Sequence, residues 1–386
     1  MFTNIPTILD NVLNHLRIGK PLKDVPSGWY DVDSTGNYSF VFPFEAALNR
    51  RAADNWVRRN WLLCVYASLI YVAAILIGQR LMQCKKPFEL RRALTTWNSL
   101  LAIFSVVGFA RTSPELFRTL NKHGFVHSVC QTTYSQDIVF GFWLLSFVAS
   151  KIVELFDTAF IVLKRRPLTF LHCYHHVTVL IYCWHGGKEL TAAGRWFCWM
   201  NYGVHSIMYT YFAVRSLGYH VPRPVSISVT TLQLTQMVVG CAIVYTVYKT
   251  KAAAWQAGMD ADDACHQSWE NLYFCFAIYF SYFCLFLRFF MKAYIWRSDL
   301  GASVAEKSIT TAKARMDICD RKAVDGASLP ANEEEDVKKH LRLRRNGKRS
   351  RAAKARKMQF IVDQHYTDKE KLYTSVPVYS HASAHG

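Results

Sequence analysis

Seven long apolar runs constrain this chain more than any other feature. They lie near residues 61–82, 95–110, 139–163, 169–185, 192–214, 227–248 and 271–291. Crossing the hydrocarbon core of a bilayer takes about 20 mainly apolar residues in a helix. The runs therefore predict an all-α polytopic membrane protein with seven transmembrane helices. Composition agrees once it is divided along the chain. A net charge of +18 would suit a nucleic-acid binder, but only 19% of the residues are charged and 15% are aromatic. Soluble domains carry nearer a quarter charged residues. A mean hydropathy of +0.05 is then an average over apolar spans and polar, basic ends. A disordered chain, a small disulfide scaffold and a simple nucleic-acid binder are excluded, and no nucleic-acid partner is expected.

Three regions follow: a polar N-terminal segment 1–59, a membrane domain 60–297 and a basic tail 298–386. No secretory apolar region opens the chain, because Asp10, Asn11 and Asn14 interrupt the only early run. Lys and Arg concentrate after the first span (Lys85, Lys86, Arg91, Arg92), after the third (Lys164, Arg165, Arg166), after the fifth (Arg215, Arg223) and in the tail. By the positive-inside rule these regions are cytosolic and the N-terminus is lumenal. The opposite loops are read as holding Arg111, Arg118, Lys188, Arg195, Lys249 and Lys251. The tail stretch 337–357 alone holds 11 Lys and Arg residues. It reads as a solvated basic tail or as a clamp on anionic membrane lipids.

Polar residues inside the spans are costly and mark function. Span three carries Lys151, Glu154, Asp157 and Thr158. Span four carries His172, His175 and His176. Span five carries Asn201, His205, Met208 and Tyr209, and span six carries Thr230, Gln233 and Gln236. Spacings of three and four put each set on one helix face. The orientation brings all four sets to a similar depth below the cytosolic surface. Bland readings stand beside this one. Lys151 with Glu154 makes a packing ion pair, and Gln233 with Gln236 ties helices by hydrogen bonds. His123, His127 and His185 read as interfacial or lumenal.

HxxHH is a metal box or an acid–base and nucleophilic set. One box plus His205 is too few histidines for a di-iron site, so no metal is expected. A desolvated imidazole stays neutral and is a competent acyl acceptor. Tyr, Asn and Gln can polarise a carbonyl oxygen. With an apolar interior and a basic rim, the residues read as a site for acyl transfer from a lipid thioester.

The motifs KxxExxDT, HxxHH, HxxMY and TxxQxxQ, in this order on successive spans, resemble those of the ELO family of very-long-chain fatty acid elongases. The resemblance covers about residues 38–297. It implies seven helices, six of them in a barrel around an acyl tunnel. It implies condensation of acyl-CoA with malonyl-CoA to 3-ketoacyl-CoA in the endoplasmic reticulum membrane, with no bound cofactor. On this resemblance His175 takes the acyl group, His205 faces the second substrate, His172 and His176 orient and exchange protons, and Asn201 helps hold the malonyl part. Lys151, Glu154, Asp157, Tyr209, Gln233 and Gln236 complete the substrate site. Expected partners are the ketoacyl reductase, dehydratase and enoyl reductase of the cycle, with homo-oligomerisation left open. Pro167 in PLTFLHCYHH and the stretch MNYGVHSIMY are similar to the saturated and monounsaturated type. The chain ends HASAHG where many members carry a dilysine signal. A di-iron desaturase or hydroxylase, and a seven-helix transporter or receptor, are the competing classes.

Eleven cysteines include no CxxC pair. On this topology only Cys130 and Cys265 fall in lumenal loops, where a disulfide between them is expected. Asn37-Tyr38-Ser39 is a glycosylation sequon on the same side.

Overall fold

The computed structural model describes residues 38–296. The basic tail and Asn37 lie outside the described residues. Those residues are helical, with no strand among them. Helix α1 is Arg50–Asn60, α2 Leu63–Met82, α3 Arg91–Cys130, α4 Ile138–Val153 and α5 Phe156–Leu163. Then come α6 Phe170–Glu189, α7 Gly194–Ser216, α8 Arg223–Gln256 and α9 Trp269–Phe290. Side chains set several starts by accepting a backbone N–H: Asn49 for α1, Asp137 for α4, Thr169 for α6 and Ser268 for α9.

Neighbouring helices close a circuit. α4 packs on α3 and α6, α6 on α9, α9 on α8, and α8 on α3 and α7; α7 lies along α3 over the longest contact. That contact needs two glycines. A Cβ at Gly108 would stand 2.5 Å from the Tyr202 ring, and one at Gly203 would stand 2.9 Å from Phe109. Helix α2 packs chiefly on α5 and α6. Leu69, Ile70, Leu76, Ile77 and Leu81 leave its outer face apolar and exposed.

The loops sorted by charge do meet at common ends. At one end, Arg91 donates to the Ser216 and Leu217 carbonyls, Arg165 to those of Gln83 and Lys85, and Arg223 to that of Tyr294. This is the basic-loop end. At the other, Cys130 and Cys265 form a disulfide, His266 N–H bonds the Cys130 carbonyl, and Tyr134 OH bonds that of Thr191.

Among the described residues five helical segments, with α4 and α5 taken as one from Ile138 to Leu163, are long and apolar enough to cross a membrane. α6 and α7 have the length, at 20 and 23 residues, but not the hydropathy. Their histidines, Asn201, Lys188 and Arg195 lower it.

The loop assignment needs correcting. Arg111 and Arg118 stand on α3, which runs on to Cys130 instead of ending near residue 110. Lys188, Arg195 and Lys251 are likewise helical and buried. Pairing explains how most of these charges sit on packed helices. Arg111 meets Glu45 at 2.5 Å, Arg118 meets Asp137 at 2.9 Å, Arg195 meets Glu115 at 2.9 Å and Lys251 meets Asp262 at 2.5 Å. At 1.5 Å per residue the stretch of α3 from Arg91 up to the break rises about 50 Å. Gly124 breaks it, with φ 80° and ψ 177°. His123 and His127 stack across that break at 4.4 Å, and His185 lies on α6 against Asn271.

Candidate active site

The site gathers at the basic-loop half from α2 to α9. Span three is not one helix here: a turn at Glu154 and Leu155 separates α4 from α5 inside the KxxExxDT motif. The turn splits the motif between two sets of partners. Lys151 Nζ donates to Glu154 Oε1 at 2.7 Å and to Asn201 Oδ1 at 2.9 Å. Ser150 Oγ adds a second bond to Glu154, at 3.0 Å. Below the turn, the Asp157 carboxylate accepts from Trp97 Nε1 at 2.5 Å and Tyr209 OH at 2.9 Å. Thr158 Oγ1 lies 2.8 Å from His172 Nε2 and 2.7 Å from Tyr71 OH.

The α6 histidines differ in their surroundings. His172 and His176 rings lie 4.4 Å apart, while the His175 ring stands perpendicular to that of His176 at 5.7 Å. His175 is held by ring contacts, with Tyr282 at 4.9 Å and Phe286 at 6.3 Å; its ring nitrogens take no hydrogen bond among the described residues. His205, on α7, bonds Asn201 Nδ2 through Nε2 at 3.2 Å, and its Nδ1 lies 3.9 Å from Glu154 Oε2. Tyr209 stacks edge-on beneath it at 5.4 Å. Side chains of HxxHH, HxxMY and KxxExxDT thus touch one another: Lys151 meets Asn201, Thr158 meets His172 and His205 lies beside Glu154.

The glutamines do less. Gln233 Nε2 donates to Met208 Sδ at 3.2 Å, which ties α8 to α7, and Gln236 is buried. Among the described residues no three His, Cys, Asp or Glu side chains converge as a metal-binding set.

Four residues at the site were not singled out from sequence: Tyr71, Trp97, Tyr282 and Phe286. All are aromatics in apolar runs, where an aromatic is ordinary core material. Trp97 and Tyr71 become distinct only when their N–H and O–H find partners on another helix.

A helical membrane protein with a buried histidine cluster is the class that fold and site define. The match to the ELO: GNS1/SUR4 family spans residues 56–301. Very long chain fatty acid elongase 6 of Drosophila melanogaster is 46% identical over 269 residues, 69% of this chain and 82% of that protein. Its counterpart in Gallus gallus is 41% identical over 264 residues, covering 68% and 96%. That of Homo sapiens is 40% identical over 254 residues, covering 66% and 92%. This chain belongs to the ELO family.

Proposed function

We propose that this protein elongates fatty acids by condensing a long-chain acyl-CoA with malonyl-CoA, using His175 as a covalent acyl carrier. The observation that carries the proposal is the contrast within the cluster: His172 and His205 are hydrogen-bonded in place, His175 and His176 take no ring hydrogen bond among the described residues, and of these two His175 is the one packed against Tyr282 and Phe286. A neutral imidazole so placed is free to attack.

The steps balance as follows. A His175 ring nitrogen attacks the thioester carbonyl, and the C–S bond breaks. The other ring nitrogen gives up its proton to a neighbouring imidazole, His172 or His176, leaving an acyl-imidazole. Coenzyme A departs and malonyl-CoA enters beside Asn201 and His205. Loss of CO2 leaves its electron pair as a thioester enolate. The enolate carbon attacks the acyl carbonyl, the C–N bond breaks, and 3-ketoacyl-CoA forms. One proton is taken up overall and leaves on the CoA thiol. No cofactor is required.

The closed circuit of α3, α4, α6, α7, α8 and α9 supports a six-helix barrel with an acyl tunnel, flanked by α2 as a seventh span. The basic-loop end is then cytosolic and admits the phosphate-bearing carrier; the disulfide end is lumenal, in the endoplasmic reticulum. The enzymes that reduce and dehydrate the product are its functional partners. The chain elongates saturated or monounsaturated substrates on this reading. Mass spectrometry of the purified protein given acyl-CoA without malonyl-CoA tests the covalent step: an acyl adduct on His175 is expected, and its absence overturns it.

A further inference from the structure

Helix α2 stands outside the circuit of packed helices and shows lipid a largely apolar face. One of its side chains does not fit the role of an anchor. Tyr71 is 6% exposed and points inward. Its hydroxyl lies 2.7 Å from Thr158 Oγ1, which lies 2.8 Å from His172 Nε2. Its ring also faces that of His176 at 6.3 Å. The contact is held from below, where a Cβ at Gly78 would come within 3.2 Å of Val162 on α5.

Thr158 has one hydroxyl proton and two partners, so it donates to one and accepts from the other. The phenol is the more acidic hydroxyl and the stronger donor, which favours Tyr71 donating to Thr158. Thr158 then donates to His172 Nε2, which leaves Nδ1 as the nitrogen carrying the proton.

We propose that Tyr71, on the peripheral helix, is a positioning residue of the histidine site: it fixes the direction of the Thr158 hydroxyl and, through it, the tautomer of His172. This rests on the condensation reading, in which His172 exchanges protons with the acyl-carrying histidine. A peripheral span thereby becomes part of the catalytic apparatus without touching substrate.

Turnover of labelled malonyl-CoA by the full chain in membranes tests it with four variants. Tyr71→Phe keeps the ring and removes the hydroxyl. Thr158→Val removes both bonds, and Thr158→Ser keeps them. Tyr71→Phe and Thr158→Val are each expected to lower kcat about tenfold, with KM for acyl-CoA within about twofold. Thr158→Ser, which keeps the hydroxyl, recovers most of the turnover that Thr158→Val loses. The double variant Tyr71→Phe/Thr158→Val falls no further than either single, because both break one relay. Parental turnover in Tyr71→Phe, or a double loss of about a hundredfold, overturns the proposal. If Tyr71→Phe accumulates poorly, equal turnover of Thr158→Val and Thr158→Ser does the same. The His175 adduct separates the two claims. A parent enzyme without adduct removes the acyl-imidazole, while the kcat comparison still judges Tyr71.

Discussion

At the disulfide end, Arg195 and Lys251 are fully buried, and each is held by one carboxylate and by further hydrogen bonds. Arg195 meets Glu115 and donates to the Ser128 carbonyl and Thr133. Lys251 donates to Asp262 and to the carbonyls of Ala261 and Cys265. At the basic-loop end four imidazoles stand beside the buried Lys151–Glu154 pair, and the ring nitrogens of His175 and His176 take no hydrogen bond among the described residues. A charge-paired cluster resists change, because removing either partner leaves a buried charge uncompensated. An imidazole with unbonded nitrogens can accept a bond from a substrate. On the proposed function, burial of ionisable groups serves architecture at one end and chemistry at the other.

The sharpest way to break this contrast is to remove one group from each end. His175→Ala should cut malonyl-CoA incorporation a thousandfold or more, while non-reducing peptide mapping still finds Cys130 joined to Cys265. Retained activity would erase the distinction. Arg195→Met should do the reverse: it strands the buried Glu115 carboxylate and costs about 3–5 kcal/mol of stability, with little change in turnover per folded molecule. Adding Glu115→Met should recover much of that loss, read as the thermal midpoint in detergent. Cys130→Ser opens a crosslink between residues 135 apart in sequence. It should cost about 2–4 kcal/mol and spare turnover.

The smallest expected effect involves Glu45, which joins the N-terminal segment to α3 and α4. Burial alone would raise its pKa, but bonds from Arg111, Trp143 and the Phe42 N–H outweigh that and hold it below the usual carboxylate range. A lowered folded pKa gives stability that is present above the unfolded value and lost as pH falls through the folded one. Tryptic cleavage near Arg50 should therefore rise in acid. Glu45→Gln should remove that acid dependence and cost about 2 kcal/mol at neutral pH.

How much was legible beforehand depended on what each residue does locally. HxxHH and HxxMY sit on unbroken helices, so their i, i+3 and i+4 spacing gave the shared faces directly. KxxExxDT straddles a turn, and spacing alone could not show that Asp157 and Thr158 swing to partners away from Lys151. Loop charge sorted the helix ends correctly where the loops are short. It failed at Arg111, Arg118, Arg195 and Lys251, because a residue's charge does not reveal a carboxylate waiting across the bundle. Aromatic roles at Tyr71 and Trp97 were invisible for the same reason.

The modest hydropathy of α6 and α7 has a consequence for how the chain is made. On the seven-span reading, neither helix partitions well into lipid by itself, since ionisable side chains near a helix centre cost about 2.5–3.5 kcal/mol each during insertion. They are joined only by Leu190–Ala193, and they leave the ribosome after α2 to α5. By then Glu115, Glu154 and Thr158 are already in the bilayer. The earlier helices can thus act as the solvent for the later pair, receiving Arg195, Asn201 and His172 as a hairpin. The residues that make the site would then also set the order in which the protein assembles.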